Sequence, residues 1–179
     1  MTVGYSATDT ASVDAMLERL IADHRRFTDA LDLLQASAAR LRASTAETLD
    51  AEVVRDLVGS LRAYVDGGHH VVEEVMFSAL VDGGIGLEAE AAILGLREDH
   101  EQLASRAAAA IDGLQQLVSG TSAASSLLPR IVDFCQYERY HMKMESDHVF
   151  PEIRERLAGD HWGAVRRELA ARLPDTASQ

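Results

Sequence analysis

The segment YERYHMKME, which runs from Tyr137 to Glu145, contains a histidine followed four residues later by a glutamate, His141 and Glu145. An earlier segment, HHVVEE from His69 to Glu74, has the same spacing. On an α-helix, side chains four residues apart lie on one face, separated by about 6 Å along the axis. An imidazole and a carboxylate in that arrangement can hold one metal ion or bridge two.

Single histidines on two further segments extend this pattern. His24 and His100 each lie in a stripe of apolar residues that recurs at helical spacing. Buried imidazoles and carboxylates with nothing to bind would be costly, because polar groups removed from water need partners. Four imidazoles and two carboxylates match the ligand count of a non-haem di-iron centre in a four-helix bundle. The sequence therefore predicts two iron ions held by His24, His69, Glu73, His100, His141 and Glu145.

The apolar periodicity predicts an all-α fold, an antiparallel up-down-up-down four-helix bundle with a short C-terminal accessory helix. The first predicted helix spans about residues 12–41, and the second runs from a capping-box sequence at residues 44–47, through Gly67 and Gly68, to about Leu80. The third ends near Gly120, and the fourth reaches Glu145, before a kink or stop at Phe150-Pro151. We assign the bundle to residues 12–158 and a C-terminal helical extension to residues 159–179.

Composition narrows the choice of partners and compartment. The 179 residues include 17 basic and 29 acidic side chains, a net charge of −12, which disfavours nucleic acid and anionic membranes as partners. A single cysteine, Cys135, excludes an intrachain disulfide and fits a reducing compartment. No signal-peptide pattern is evident, and no apolar run approaches the roughly 20 residues of a membrane span. We expect a cytoplasmic protein that is a monomer or a weak homo-oligomer.

Two other kinds of metal site fit less well. Structural zinc would prefer thiolate ligands, and the chain has one cysteine. A ferritin-like di-iron site needs a Glu-x-x-His motif on each of two helices. Here Glu138/His141 and Glu145/His148 have that spacing, but both pairs lie on the predicted fourth helix.

The order of the motifs resembles that of the hemerythrin-like (HHE) cation-binding family. That order is a single histidine, HxxxE, a single histidine and a second HxxxE, from His24 to Glu145. The segment from His141 to Pro151 and the run HHVVEEVM beginning at His69 are similar to the corresponding helices of that family. The resemblance implies an oxygen-reactive pair of irons held by histidines and bridged by carboxylates.

The chain departs from the oxygen-carrying hemerythrins at two positions. Their third helix supplies two histidines four residues apart, whereas Ala104 stands four residues after His100 here. Their fourth helix supplies an aspartate five residues after the histidine, and that position is Ser146 here. One fewer imidazole would leave a coordination position open or filled by water, which favours chemistry at the metal over reversible oxygen carriage.

Two assignments stay open at the sequence level. His70 and Glu74 have the same spacing as His69 and Glu73, but His69 shares a stripe with Val65, Val72 and Met76. That stripe favours His69 and Glu73 as ligands, with His70 and Glu74 beside the site or on the surface. Tyr137 and Tyr64 are candidates for phenols near the metals, redox-active or hydrogen-bonding, although a role as core aromatics is the alternative.

Two functions are compatible with such a centre. In the first, the protein reacts with peroxide, nitric oxide or O₂ and protects the cell from oxidative stress, and whether it turns over as a di-iron peroxidase or catalase-like oxidoreductase is left open. In the second, it is an O₂ or nitric oxide carrier, or an iron or oxygen sensor module, without turnover.

Overall fold

The computed structural model describes residues 11–43, 68–119 and 124–173. These residues form a series of helices and turns, and no strand occurs among them, which confirms the all-α prediction. The helices are α1 (Val13–Ala43), α2 (His69–Asp82), α3 (Leu87–Val118), α4 (Ala124–Met144), a π-helical turn (Glu145–Val149), α5 (Phe150–Arg156) and α6 (Asp160–Arg172).

Side-chain contacts show that α1 runs antiparallel to the α4–α5 segment. Arg139 on α4 binds Asp32 in the C-terminal half of α1. Farther along the chain, Arg154 on α5 binds Asp14 near the start of α1. The later residue of the α4–α5 segment thus contacts the earlier residue of α1, so the two segments run in opposite directions.

The same reversal relates α3 and α4. Asp133 on α4 binds Arg106 on α3. His141, about two turns later on α4, contacts Asp99, about two turns earlier on α3. Because α2 and α3 are joined by a short turn at residues 83–86, the predicted antiparallel bundle is confirmed.

The buried apolar residues form two clusters with the predicted ligands between them. On α1, Leu20 belongs to one cluster and Leu31 to the other, and His24 lies between them. On α3, Leu96 and Leu103 flank His100 in the same way. The polar residues therefore occupy one layer of the bundle, closed off above and below by hydrocarbon.

The start of α2 differs from the prediction. Gly68 has φ 82°, a left-handed conformation, and α2 begins at the next residue. A right-handed helix cannot continue through that backbone, so the predicted passage of the second helix through Gly68 is wrong. His69 and His70 consequently lie in the first turn of a helix. The predicted capping box at residues 44–47, and Tyr64, lie outside the described residues.

The end of the fourth helix also differs from the prediction in position. The chain leaves α-helical geometry at Glu145, where the π-helical turn begins, five residues before Phe150. Pro151 lies in the first turn of α5, where its missing N–H removes no helical hydrogen bond. π-helical turns are frequent at functional sites, so the turn that begins at Glu145 supports a functional role for this predicted ligand.

The accessory helix α6 packs on the bundle. Trp162, Val165 and Leu169 are buried in the same apolar cluster as residues of α1 and α2. The boundary at residue 159 stays a prediction. In the described ranges, none of the helices is both long and apolar enough to cross a lipid bilayer.

Candidate metal centre

Glu73 lies at the meeting point of three helices. Its Oε1 is 2.8 Å from His69 Nε2 and 3.6 Å from His24 Nε2. Its Oε2 is 3.5 Å from His100 Nε2. One carboxylate of α2 thus reaches imidazoles of α1, α2 and α3.

Glu145 has an equivalent position opposite Glu73. Its Oε1 is 3.1 Å from His141 Nε2 and 3.8 Å from His100 Nε2. Its Oε2 is 3.2 Å from His24 Nε2. His24 and His100 therefore contact both carboxylates, and the structure brings all six predicted ligands together.

The donor atoms of this cluster are buried and lack ordinary hydrogen bonds. Glu73, Glu145 and His141 have no exposed surface. Within the described residues, no partner with hydrogen-bond geometry is present for the Nε2 atoms of His24, His100 and His141 or for both oxygens of each glutamate. Such burial would be expensive in an ordinary core, because unsatisfied polar atoms destabilise the fold. The imidazoles and carboxylates of the cluster fit the binding of metal cations.

His70 also faces the cluster. Two sets of side chains have potential ligand atoms within 4.8 Å of one another, namely His24, His69 and Glu73, and His70, Glu73, His100 and His141. The His70 ring stacks on His100 with 4.2 Å between centroids. His69 and His70 thus each belong to a set of potential ligands that contains Glu73.

Glu74 is directed away from the cluster. Its Oε2 accepts a hydrogen bond of 3.0 Å from Arg97 Nε, and its Oε1 accepts one of 3.3 Å from Ser78. Its side chain is 36 % exposed. Of the alternative pair, the carboxylate of Glu74 therefore lies outside the cluster, whereas the imidazole of His70 lies within it.

The position of His70 changes the count of imidazoles. Consecutive helical residues project about 100° apart, so His69 and His70 in the first turn of α2 belong to two different sets of potential ligands. The cluster has five imidazoles, with the fifth on α2 and not on α3. The sequence analysis counted four imidazoles, and His70 is the additional one that lies in this cluster.

Charge coupling sets the protonation of the cluster when no cation is bound. Burial lowers the pKa of His24, His69 and His100, but Glu73 and Glu145 outweigh it and raise their pKa values to about 9, 10 and 9. Burial favours neutral carboxyl groups, yet the neighbouring imidazoles hold the pKa of Glu73 and that of Glu145 below their ordinary values. A cation must displace these protons to bind.

His70 behaves differently from the other imidazoles. Burial and the nearby His100 and His69 lower its pKa to about 3, although Glu73 acts in the opposite direction. His70 is therefore neutral at physiological pH and has an unprotonated ring nitrogen, which is the form that binds metal.

Polar groups lie beside the Nδ1 atoms of three of the rings, within hydrogen-bond geometry for His69 and His24 and at ion-pair distance for His141. His69 Nδ1 is 3.5 Å from Asp23 Oδ2, and His141 Nδ1 is 3.5 Å from Asp99 Oδ2. His24 Nδ1 is 3.5 Å from Ser146 Oγ. Such partners fix ring orientation and tautomer at metal sites.

The aspartates were not singled out from the sequence, although a signal exists. Asp23 and Asp99 each directly precede a single histidine of the cluster, so the order Asp-His followed by HxxxE occurs twice in the chain. Each aspartate contacts the histidine of the following HxxxE motif, His69 or His141. The sequence predictions on Tyr137 and Tyr64 have different outcomes: Tyr137 donates a hydrogen bond to Asp99, while Tyr64 is outside the described residues.

A cleft between α1 and α4 leads to one side of the cluster. Its volume is about 450 Å³, and it reaches the His24 ring and Ser146. Its lining includes the positively charged side chains of Arg25, Arg139 and Lys143. The cleft therefore reaches the outer side of His24, whose Nε2 is buried within the cluster.

The fold and the buried cluster define a helical metal-binding protein. A family model described as the hemerythrin HHE cation-binding domain matches residues 15–153, a range that contains all seven histidines and glutamates of the cluster. The chain belongs to the hemerythrin HHE cation-binding family. Searches of curated proteins and of solved structures gave no match.

Replacing His70 by alanine is expected to lower the metal content from about two ions to about one ion per chain, because affinity depends on the number of donor atoms. The set of His24, His69 and Glu73 is left intact by this change. Elemental analysis after metal loading and desalting measures the effect. His148→Ala, an exposed histidine outside both sets, is the matched control. Equal metal content in the two variants would show that His70 is not a ligand.

Proposed function

We propose that the protein holds two iron ions between His24, His69, His70, Glu73, His100, His141 and Glu145, and that it reacts with small oxidants in protection against oxidative or nitrosative stress. The oxidants are peroxide, nitric oxide or O₂. When bound, the irons supply redox chemistry and polarise a bound oxidant. The buried side chains of the cluster hold the irons.

The chemistry of the donors supports iron. Imidazole nitrogen and carboxylate oxygen suit iron, whereas soft metals select thiolates. The one cysteine, Cys135, is buried and its Sγ lies 3.9 Å from the carbonyl oxygen of Leu31. Burial raises its pKa to about 12, so this thiol stays protonated and offers no competing ligand.

An asymmetry of the cluster, together with the cleft, carries the proposal. One set contains two imidazoles, those of His24 and His69, and the other contains three. His24 is among the residues that line the cleft, and it belongs to the set with fewer imidazoles. An oxidant that enters from solvent therefore arrives where the protein supplies the fewest ligands.

The cleft is open to solvent. The charged side chains of Arg25, Asp29, Arg139 and Lys143 line it, and the apolar side chains of Ile21 and Met142 complete the lining. Such a cleft admits small molecules to the side of the cluster that contains His24, which supports the proposed reaction with small oxidants.

One observation favours the carrier as a second candidate. With His70 included, the cluster has five imidazoles, the number that the oxygen-carrying hemerythrins use according to the resemblance described above. A carrier would bind O₂ or nitric oxide reversibly, without consumption of either.

We expect the iron-loaded protein to consume hydrogen peroxide or nitric oxide catalytically, and this activity to be lost in His141→Ala. His141 is completely buried and contacts Glu145, so its removal opens the set with three imidazoles. Peroxide and nitric oxide electrodes measure the consumption, and elemental analysis measures the iron. His161→Ala, which changes an exposed histidine of α6, is the control.

The competing outcomes are distinct. Stoichiometric zinc without iron after growth in iron-replete medium would contradict the di-iron assignment. Reversible oxygenation of the iron-loaded protein, with no turnover of peroxide or nitric oxide, would place it with the carriers.

A further inference from the structure

A chain of polar contacts connects the metal cluster with the outer face of the bundle. His141 directs Nε2 at Glu145 and Nδ1 at Asp99, whose Oδ2 is 3.5 Å away. The other oxygen of Asp99, Oδ1, accepts a hydrogen bond from the hydroxyl of Tyr137. A phenol is therefore hydrogen-bonded to a carboxylate that lies at ion-pair distance, without hydrogen-bond geometry, from an imidazole of the cluster.

The ring of Tyr137 is held at the surface between α3 and α4. The guanidinium carbon of Arg106 lies 4.3 Å from the ring centroid, and Arg106 is itself fixed by an ion pair with Asp133. The Tyr137 hydroxyl is also 3.2 Å from Gln102 Oε1. The inner edge of the ring packs on the apolar cluster of α3 and α4, so the phenol is both anchored and accessible.

The corresponding aspartate in the other half of the site has different partners. Asp23 contacts His69 as Asp99 contacts His141, but it also pairs with Arg19 and Arg26. A guanidinium is always protonated and has no accessible redox chemistry, whereas a phenol can lose an electron and a proton. The two aspartates thus contact equivalent imidazoles, but within the described part of the chain only Asp99 also accepts a hydrogen bond from a redox-active group, the phenol of Tyr137.

We propose that Tyr137 is a second reaction site, at which phenols or ene-diols deliver single electrons through Tyr137 towards the metal cluster. This inference rests on the proposed function, which supplies peroxide as the oxidant. The substrates are one-electron reductants that meet the Tyr137 ring at the surface.

With a phenol as the donor, one electron and one proton leave Tyr137 in each cycle. Tyr137 loses one electron, which passes through Asp99 and His141 to the centre, and its hydroxyl proton moves to Asp99 Oδ1. The resulting tyrosyl radical takes a hydrogen atom from the hydroxyl of the donor, which restores Tyr137 and leaves a phenoxyl radical. Asp99 is 20 % exposed and returns its proton to water. Two such cycles supply the two electrons that reduce one hydrogen peroxide to two waters, with two protons taken up from solvent.

The surroundings of Tyr137 agree with removal of the electron and the proton together. Partial burial and the carboxylate of Asp99 raise its pKa to about 12, so the phenol keeps its proton at physiological pH. Oxidation of a protonated phenol needs a base within hydrogen-bond reach, and Asp99 is in that position.

The test compares Tyr137→Phe with Tyr140→Phe in the iron-loaded full chain. Phenylalanine keeps the ring beneath Arg106 and removes only the hydroxyl. Tyr140 lies on the same helix, is 59 % exposed, and serves as the matched control. Samples frozen within milliseconds of peroxide addition are examined by electron paramagnetic resonance, and the oxidation of guaiacol and of ascorbate is followed optically.

We expect Tyr137→Phe to lose the tyrosyl radical signal and to lower guaiacol oxidation by about tenfold or more, since the relay of proton and electron is broken. Peroxide consumption without a donor, iron content and thermal stability should stay at the wild-type values, as should every readout of Tyr140→Phe. Asp99→Asn, which keeps the shape and removes the proton acceptor, should weaken the radical signal while Tyr137 is still present.

The two proposals fail in different ways. If the wild type consumes peroxide and Tyr137→Phe equals it in radical signal and guaiacol oxidation, the relay is overturned and the proposed function stands. If the iron-loaded wild type does not react with peroxide, the proposed function is overturned, and the relay with it.

Discussion

Replacing Glu73 by alanine is expected to remove essentially all bound metal. Glu73 belongs to both sets of potential ligands, and its two oxygens reach His24, His69 and His100 on three different helices. Loss of this carboxylate takes a donor from both ions and leaves neighbouring imidazoles without their counter-charge. Elemental analysis after iron loading and desalting is the measurement.

Glu74→Ala is the matched control for this change. The two glutamates are adjacent and chemically identical, but Glu74 binds Arg97 and Ser78 outside the cluster. Glu74→Ala should keep the wild-type metal content. A similar loss in both variants would indicate a general disturbance of α2, and full retention in Glu73→Ala would contradict the assigned centre. Circular dichroism of each variant without metal shows whether the helices persist.

Iron loading is expected to raise the melting temperature of the protein substantially. A ligand that binds the native state at about a thousand times its Kd adds about 4 kcal/mol to the free energy of unfolding. For a domain of this size each kcal/mol corresponds to about 2–4 °C, so the expected shift is on the order of 10 °C. Differential scanning calorimetry with and without iron measures it, and equal melting temperatures for loaded and metal-free protein would contradict the proposed centre.

The size of this shift should increase from pH 7 to pH 9.5. In the metal-free protein, the raised pKa values of His24, His69 and His100, about 9, 10 and 9, stabilise the fold at pH values below their ordinary pKa. That contribution is lost as the pH rises through the folded values. The lowered pKa values of Glu73 and Glu145 stabilise the fold at pH values above the ordinary pKa of a glutamate. This contribution to stability is lost only in acid. Raising the pH therefore destabilises the metal-free protein. The metal-loaded protein is not affected in this way, because its imidazoles bind metal through nitrogens that have already lost their protons.

Melting temperatures of both forms across this pH range test the coupling. A constant difference between them would show that the imidazoles of the cluster are not protonated in the metal-free protein. The same experiment below pH 5 should show the loaded form losing its metal, since protons compete with the cation for every donor.

The helical class and most of the metal-binding set could be predicted from the sequence, and the reason is local. A periodic apolar stripe specifies a helix and its buried face, and the spacing in His69/Glu73 and His141/Glu145 places an imidazole and a carboxylate one turn apart on that face. Placing His24 and His100 in such stripes required no knowledge of how the helices pack. These residues meet in the structure because each stripe turns its histidine towards the bundle interior.

The participation of His70 was decided by tertiary structure. Its position depends on where α2 begins, and that depends on the left-handed turn at Gly68. From the sequence, His69 and His70 looked like alternatives, because a single helix face can be directed at only one point. Two sets of potential ligands that share Glu73 remove that restriction, since side chains about 100° apart can then belong to different sets.

The contacts around the ligands also depend on which helices become neighbours. Asp99 reaches both His141 and Tyr137 only because α3 and α4 pack antiparallel, with these residues in one layer. Spacing along the chain carries no record of a contact between residues 38 positions apart. The sequence by itself therefore determined which side chains face the interior and what kind of site they form. The packing of the helices decided that a fifth imidazole joins this site and that a surface tyrosine is connected to it.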